Sequence, residues 1–234
     1  MVKEGYYFGI PPLVLGIIFF FVHWVAAAIL VLCLGLFCFS FFRDPERNIP
    51  TEPGAIVSPA DGRVVVVTDE VYAGRAGKRI SIFLAVWNVH VNRMPAAGTI
   101  TSLEYKPGKF LAAMKAEASA QNEQNIFTLA TDSREIVFKQ IAGLIARRVV
   151  SWKKAGDVVQ RGERIGLVRF GSRADVWVPA DARMAVKVGD HVAGGSSILA
   201  FLPVETMGTS SGHQQAGRQT PAEANLIPAG KPTR

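Results

Sequence analysis

Three residues in this chain are of types that could do covalent chemistry together. They are Asp61 in a Pro-Ala-Asp-Gly turn, His90 in the polar stretch Asn88-Val89-His90-Val91-Asn92-Arg93, and Ser172 directly after Gly171. A serine hydroxyl becomes a nucleophile when a base takes its proton, and a carboxylate commonly orients that base. Chain order is no obstacle, because such constellations are defined by geometry. Each residue also has a plain structural explanation. An Asp before Gly is most often a turn residue, a lone His in a polar cluster is often structural, and a Gly-Ser pair is usually only a turn. His23, His191 and His213 fall in an apolar run, a turn and the C-terminal tail, so they are weaker candidates. The stretch Val168-Arg169-Phe170-Gly171-Ser172-Arg173-Ala174-Asp175 reads as a tight turn between two strands, and glycine there permits close approach and a strained backbone.

The elements that must position these residues are mostly strands. The segment Ser58-Pro59-Ala60-Asp61-Gly62 is a turn leading into the β-type run Arg63-Val64-Val65-Val66-Val67. Residues 79–87 form another β-type run that ends just before His90, and further strands are predicted over 126–130, 135–141 and 145–152. Residues 110–120, rich in Ala, Met and Lys, predict a soluble helix. The pattern G-D-x-V-x-x-G-x-x-I occurs at 156–165 and again at 189–198, which predicts a duplicated supersecondary unit. The fold class expected is mostly β (α+β): a barrel or sandwich with this internal repeat, resembling the biotinyl and lipoyl carrier pattern, plus one or two short soluble helices.

The rest of the chain concerns location. From Ile10 to Phe42 there is no Asp, Glu, Lys or Arg. As one helix this run would be about 50 Å long against roughly 30 Å of hydrocarbon, so it is one tilted span or a hairpin turning near His23-Trp24. Arg43 and Arg47 follow at once, which by the positive-inside rule puts the larger domain on the cytoplasmic side of the cell (inner) membrane. The organisation expected is an anchor over 1–42, a catalytic β-rich domain over 43–205 and a disordered tail over 206–234. The net charge of +7 is dispersed and sits behind an anchor. It therefore suits anionic headgroups rather than nucleic acid. Cys33 and Cys38 lie inside the apolar run and build neither a disulfide framework nor a metal site.

The motifs, taken in order, resemble one family. Phe-Phe-Arg-Asp-Pro-x-Arg-x-Ile-Pro at the anchor exit (41–50) is followed by Ser-Pro-Ala-Asp-Gly (58–62) and Trp-Asn-Val-His-Val-Asn-Arg-Met-Pro (87–95). Pro-Gly-x-Phe (107–110), Asn-Glu-x-Asn (122–125) and Phe-Gly-Ser-Arg (170–173) complete the set. This combination, over residues 40–203, is similar to the short bacterial and archaeal form of phosphatidylserine decarboxylase.

The resemblance implies a self-processing enzyme. Ser172 Oγ attacks the Gly171 carbonyl, the resulting ester eliminates, and hydrolysis leaves a pyruvoyl group where Ser172 stood. The implied cofactor is thus made from Ser172, with no metal and no pyridoxal phosphate. The two fragments would stay together as a heterodimer, and a higher oligomer is compatible with the sequence. The substrate implied is phosphatidylserine at a membrane. It would be bound as a Schiff base and released as phosphatidylethanolamine and CO2. His90 and Asp61 take the places of the base and its orienting partner, and Arg93 is a candidate for substrate binding. Longer members read H-R-V-H-M-P where this chain has His90-Val91-Asn92-Arg93-Met94-Pro95, so Arg93 stands in place of a second histidine. Arginine is no base at neutral pH. That leaves open whether His90 serves both reactions. The alternative is a non-catalytic, membrane-anchored biotinyl/lipoyl-like β domain. It would need a lysine at the tip between the two repeat copies, where Gly171-Ser172-Arg173 stands.

Overall fold

The computed structural model describes residues 1–203 apart from Ala116, Ser133, 145–147 and Phe170. The predicted tail over 206–234 lies outside the described residues, as does part of the strand predicted over 145–152.

The apolar run folds as a hairpin of two helices, α1 (Lys3–Phe21) and α2 (Val25–Phe41). The chain reverses at His23, whose φ of 61° is the left-handed conformation a tight reversal needs. α1 is long and apolar enough to cross a membrane. A Cβ added at Gly9, Gly16 or Gly35 would collide with Phe39, Leu32 or Leu13 of the facing helix. Glycine at these positions lets the two backbones approach closely. The Val2 N–H donates to the Phe42 carbonyl at 3.2 Å and closes the hairpin at its base.

The remainder is mostly β. The strands are β1 (Ala55–Val57), β2 (Gly62–Tyr72), β3 (Arg75–Leu84), β4 (Val91–Arg93), β5 (Gly98–Lys106), β6 (Gln124–Ala130) and β7 (Glu135–Ile141). They continue as β8 (Val149–Ser151), β9 (Val158–Val159), β10 (Arg164–Val168), β11 (Ser172–Pro179), β12 (Arg183–Met184), β13 (His191–Val192) and β14 (Ile198–Phe201). An eight-stranded sheet runs in the order β13-β2-β3-β11-β7-β6-β5-β9, beside two three-stranded sheets, β1-β14-β12 and β4-β10-β8. Ile82, Leu84, Ile100, Phe127, Phe138, Val176 and Leu199 are fully buried and belong to one core shared by these strands. The predicted mostly-β class is the class found.

The repeat has a structural meaning that reaches further than its sequence signature. Asp157 and Asp190 each accept, through the side chain, the N–H of the residue three earlier, Lys154 and Lys187, at 3.0 Å. Gly156, Gly162, Gly189 and Gly195 are all left-handed, with φ of 91°, 75°, 102° and 80°. The first copy pairs β9 with β5 and β10 with β4, and the second pairs β13 with β2 and β14 with β1. Pro59-Ala60-Asp61-Gly62 and Pro95-Ala96-Ala97-Gly98 therefore occupy equivalent places, and the shell is doubled about β11 and β7 at its middle.

Two expectations are corrected. The helix predicted over 110–120 is reduced to one turn, α3 (Ala118–Gln121). The buried Asn122 side chain holds the segment open instead: its Oδ1 accepts from Leu111 N–H at 2.9 Å, and its Nδ2 donates to the Leu111 and Ala142 carbonyls at 2.8 and 2.7 Å. These tertiary bonds override the favourable local helix propensity of the Ala-rich stretch. Nor do β10 and β11 pair as the two arms of one hairpin. β10 lies between β4 and β8, whereas β11 lies between β3 and β7, so the connection crosses from one sheet to another.

Candidate active site

β11 begins at Ser172, which pairs across the sheet with Leu84. Because side chains alternate along a strand, Ser172, Ala174, Val176 and Val178 share one face and Arg173, Asp175 and Trp177 the other. Ala174, Val176 and Val178 point into the main core. Ser172 is completely buried, and its Oγ has no hydrogen-bond partner among the described residues. A buried hydroxyl left unpaired costs about 1–3 kcal/mol, and such groups in native folds gather at functional sites. On the opposite face Arg173, 1% exposed, donates to Asp175 Oδ1 and Ser81 Oγ, both at 2.6 Å. Ser119 Oγ bonds the other oxygen of Asp175. The first turn of β11 is thus fixed from its outer side while the serine stays free.

Gly171 has φ of +65°, and a Cβ there would meet open space, so the demand at this position is conformational rather than steric. The steric demand falls on Gly143. A Cβ built on Gly143 would sit far inside 3.0 Å of the Gly171 carbonyl oxygen. The Gly171 carbonyl therefore occupies the place where any other residue would carry its side chain. Ala142 and Gly143 are held there by the Asn-Glu-x-Asn segment. Asn122 Nδ2 donates to the Ala142 carbonyl, and the Ala142 N–H donates to the Glu123 carbonyl at 2.9 Å.

His90 is 2% exposed. Its Nδ1–H donates to the Asn88 carbonyl at 2.8 Å, which leaves Nε2 as the acceptor, and the Gly171 N–H reaches Nε2 at 3.4 Å. The imidazole is therefore the neutral tautomer whose acceptor nitrogen faces Gly171. Burial pushes its pKa down from 6.5 to about 4; the bond to Asn88 opposes that shift and the Arg43 charge adds to it. His90 is consequently unprotonated at neutral pH.

Asp61 is placed elsewhere. It pairs with Arg47 at 2.9 Å and accepts the Gly194 N–H at 2.7 Å. Both His90 ring nitrogens are engaged, with Asn88 and Gly171, so the backbone carbonyl of Asn88 orients the imidazole and the expected Asp61–His90 pair is not formed. Arg93 is also corrected as a substrate-binding candidate. It is buried, and it donates to the Gly162 carbonyl at 3.1 Å, to Asp44 Oδ1 at 2.9 Å and to the Pro45 carbonyl at 3.1 Å. These bonds tie the 44–45 segment that follows α2 to the Gly162 turn through the Arg93 guanidinium.

Sequence reasoning missed Gly143, Arg173, Asp175 and a chain of buried amides. Asn125 Nδ2 donates to Gln140 Oε1 and Gln140 Nε2 donates to Asn92 Oδ1, each at 3.0 Å, while Asn92 Nδ2 reaches the Pro59 carbonyl at 3.4 Å. This relay joins the Asn-Glu-x-Asn, His90 and Asp61 segments through Gln140. Gln140 belongs to no motif, and the available signal was only a polar residue inside a β-type run. A cleft of about 420 Å³ opens beside the 85–88 loop, lined by Arg63, Phe83, Trp87, Asn88, Met114 and His191 among others. His191, Arg63, Phe83 and Arg173 form one cross-strand row, so the cleft begins one strand away from the residue after Ser172.

Fold and site together define a β-rich domain with a serine-centred site at the base of an apolar helical hairpin. A profile described as phosphatidylserine decarboxylase matches residues 34–200. Curated relatives named phosphatidylserine decarboxylase proenzyme include one from Symbiobacterium thermophilum, 45% identical over 86% of this chain and 95% of its own length. Others come from Solibacter usitatus, 53% identical over 76% and 87%, and from Cupriavidus metallidurans, 47% identical over 72% and 80%. The chain belongs to the phosphatidylserine decarboxylase family and is an enzyme, a carboxy-lyase. The carrier-domain alternative is thereby set aside.

Proposed function

We propose that this chain cuts itself between Gly171 and Ser172 and then decarboxylates phosphatidylserine to phosphatidylethanolamine at a membrane. The observation that carries the proposal is the buried, unpartnered Ser172 Oγ next to a left-handed Gly171 whose N–H faces His90 Nε2. Ser172 Oγ attacks the Gly171 carbonyl carbon as His90 takes the hydroxyl proton, and the amide becomes an ester with a free amine at residue 172. Loss of the α-proton expels the Gly171 carboxylate and leaves a dehydroalanine. Its enamine form tautomerises and is hydrolysed to a ketone with release of ammonia, which leaves a pyruvoyl group at residue 172. Asp61 remains a candidate in this step by resemblance to the family, acting through Arg47 or the Gly194 backbone.

After the cut, Ser172–Pro179 keeps its pairing with β3 and β7, and β13 and β14 keep theirs with β2 and β1. Those ladders favour a stable heterodimer of the two fragments. The pyruvoyl carbonyl supplies an electron sink for loss of the substrate carboxylate. The protein's own part is to bind the headgroup and place it. The exposed Arg63 on the cleft wall is our candidate for the lipid phosphate in place of Arg93. The Arg173–Asp175–Ser81 network holds the new N-terminus in register. The hairpin would seat the domain on the cytoplasmic side of the cell membrane, in keeping with Arg43 and Arg47 at its exit.

Intact-mass measurement tests the proposal. It expects two fragments divided at Gly171, the smaller one blocked to Edman sequencing, and an uncut, inactive Ser172→Ala chain. Active protein consisting of one full-length chain would refute it.

A further inference from the structure

The hairpin does not end at the edge of the β domain. Phe41, the last residue of α2, is 1% exposed, and its ring centroid lies 4.1 Å from that of His90 at a tilt of 32°. Phe41 and Phe42 share one apolar cluster with Val89, Val91 and Leu167. Val89 and Val91 flank His90 in sequence. Leu167 precedes Val168, whose N–H donates to the His90 carbonyl at 3.3 Å. α1 contributes as well: Phe8 stacks on Phe42 at 5.6 Å and carries the Arg169 guanidinium over its ring at 5.2 Å. Arg169 stands two residues before Gly171. One helix of the hairpin therefore touches the base, and the other touches the segment leading to the cut.

A simple tether would need neither contact. We propose that the base of the hairpin is a working part of the self-processing site, with Phe41 a positioning residue that holds the His90 ring and keeps water away from it. This inference rests on the self-cleavage reading above. An imidazole fixed only by Nδ1–H to Asn88 can still swing about that bond, and Nε2 would then leave Gly171. The Phe41 ring, lying across its face, blocks the swing. The charged group acting on His90 is Arg43, from the anchor exit; the 89–91 segment and β10 present Val89, Val91 and Leu167 to it. Cutting is thereby coupled to seating of the hairpin on the domain.

The test uses full-length chain synthesised in vitro into detergent micelles, with the uncut fraction followed on denaturing gels between pH 4 and 8. Phe41→Ala is expected to slow cutting about tenfold or more at pH 7. It should also move the acid limb of the rate profile from about 4 upward toward 6.5, as water reaches the imidazole. Phe41→Leu, which keeps most of the volume, should fall between it and wild type. Phe21→Ala at the far, exposed turn of the hairpin should behave as wild type. A Phe41→Ala chain cutting within twofold of wild type with an unmoved acid limb would overturn the proposal. If Phe41→Ala fails to become protease-resistant, Phe41→Leu decides: resistant chain with wild-type rate and acid limb overturns it. A wild-type chain that never cuts would instead remove the self-cleavage reading.

Discussion

On the proposed self-cleavage, replacing Gly143 with alanine is the sharpest test of how the Gly171 carbonyl is held. Gly143 is not in the left-handed region, so its backbone tolerates an L-residue and sterics alone decide the outcome. To bring the new Cβ out to 3.0 Å, the Gly171 carbonyl or the 142–144 segment must retreat by about 1 Å. The segment is tied down by Asn122 and Glu123, and β11 is tied down by eight cross-strand pairs with β3, so the displacement falls on the Gly171 carbonyl. A misplacement of about 1 Å at a reacting centre costs on the order of a hundredfold in rate. Overpacking of this kind costs roughly 1–3 kcal/mol in stability. Expected, then, is a folded chain with a modestly lowered Tm that accumulates uncut, its cutting rate down about a hundredfold. The assay is a time course of intact mass alongside thermal unfolding in detergent. A Gly143→Ala chain that melts normally and cuts within threefold of wild type would show that the carbonyl is not seated against Gly143.

Three further outcomes follow from named contacts. His90 has a folded-state pKa of about 4 against an ordinary 6.5, so the unfolded chain binds the extra proton between these values; stability present above pH 6.5 should be lost as pH falls toward 4, by about 3 kcal/mol, and His90→Gln should flatten that slope in denaturant titrations. Arg63→Ala should leave self-cleavage unchanged and raise KM for phosphatidylserine about tenfold with little change in kcat; an unchanged KM removes Arg63 from the headgroup site. Asn122→Ala strands the Leu111 and Ala142 carbonyls and the Leu111 N–H. It should cost about 2–4 kcal/mol by thermal unfolding and slow cutting as Gly143 loosens.

Much of this protein is legible without coordinates because it depends on local chemistry. A 33-residue run without charge must leave water, and two copies of a Gly-Asp turn pattern must build two like pieces of β structure. The ordered motifs identify the family, and the Gly171-Ser172 pair marks the candidate cut. What the sequence does not encode locally is who faces whom. The Asp61–His90 pair was expected from residue types, yet the fold gives Asp61 to Arg47 and His90 to Asn88. Arg93 reads as a free cation, and burial beside Asp44 makes it a fastener. A glycine in Ala142-Gly143-Leu144 has no signature until the sheets close and bring Gly171 against it. Phe41 reads as one more membrane residue until the hairpin turns at His23 and returns its end to His90. Composition and periodicity specify elements, because those follow from each residue's own solvation and backbone preference. The site depends on contacts between residues far apart in sequence, such as 41 with 90 and 143 with 171, which only tertiary packing selects.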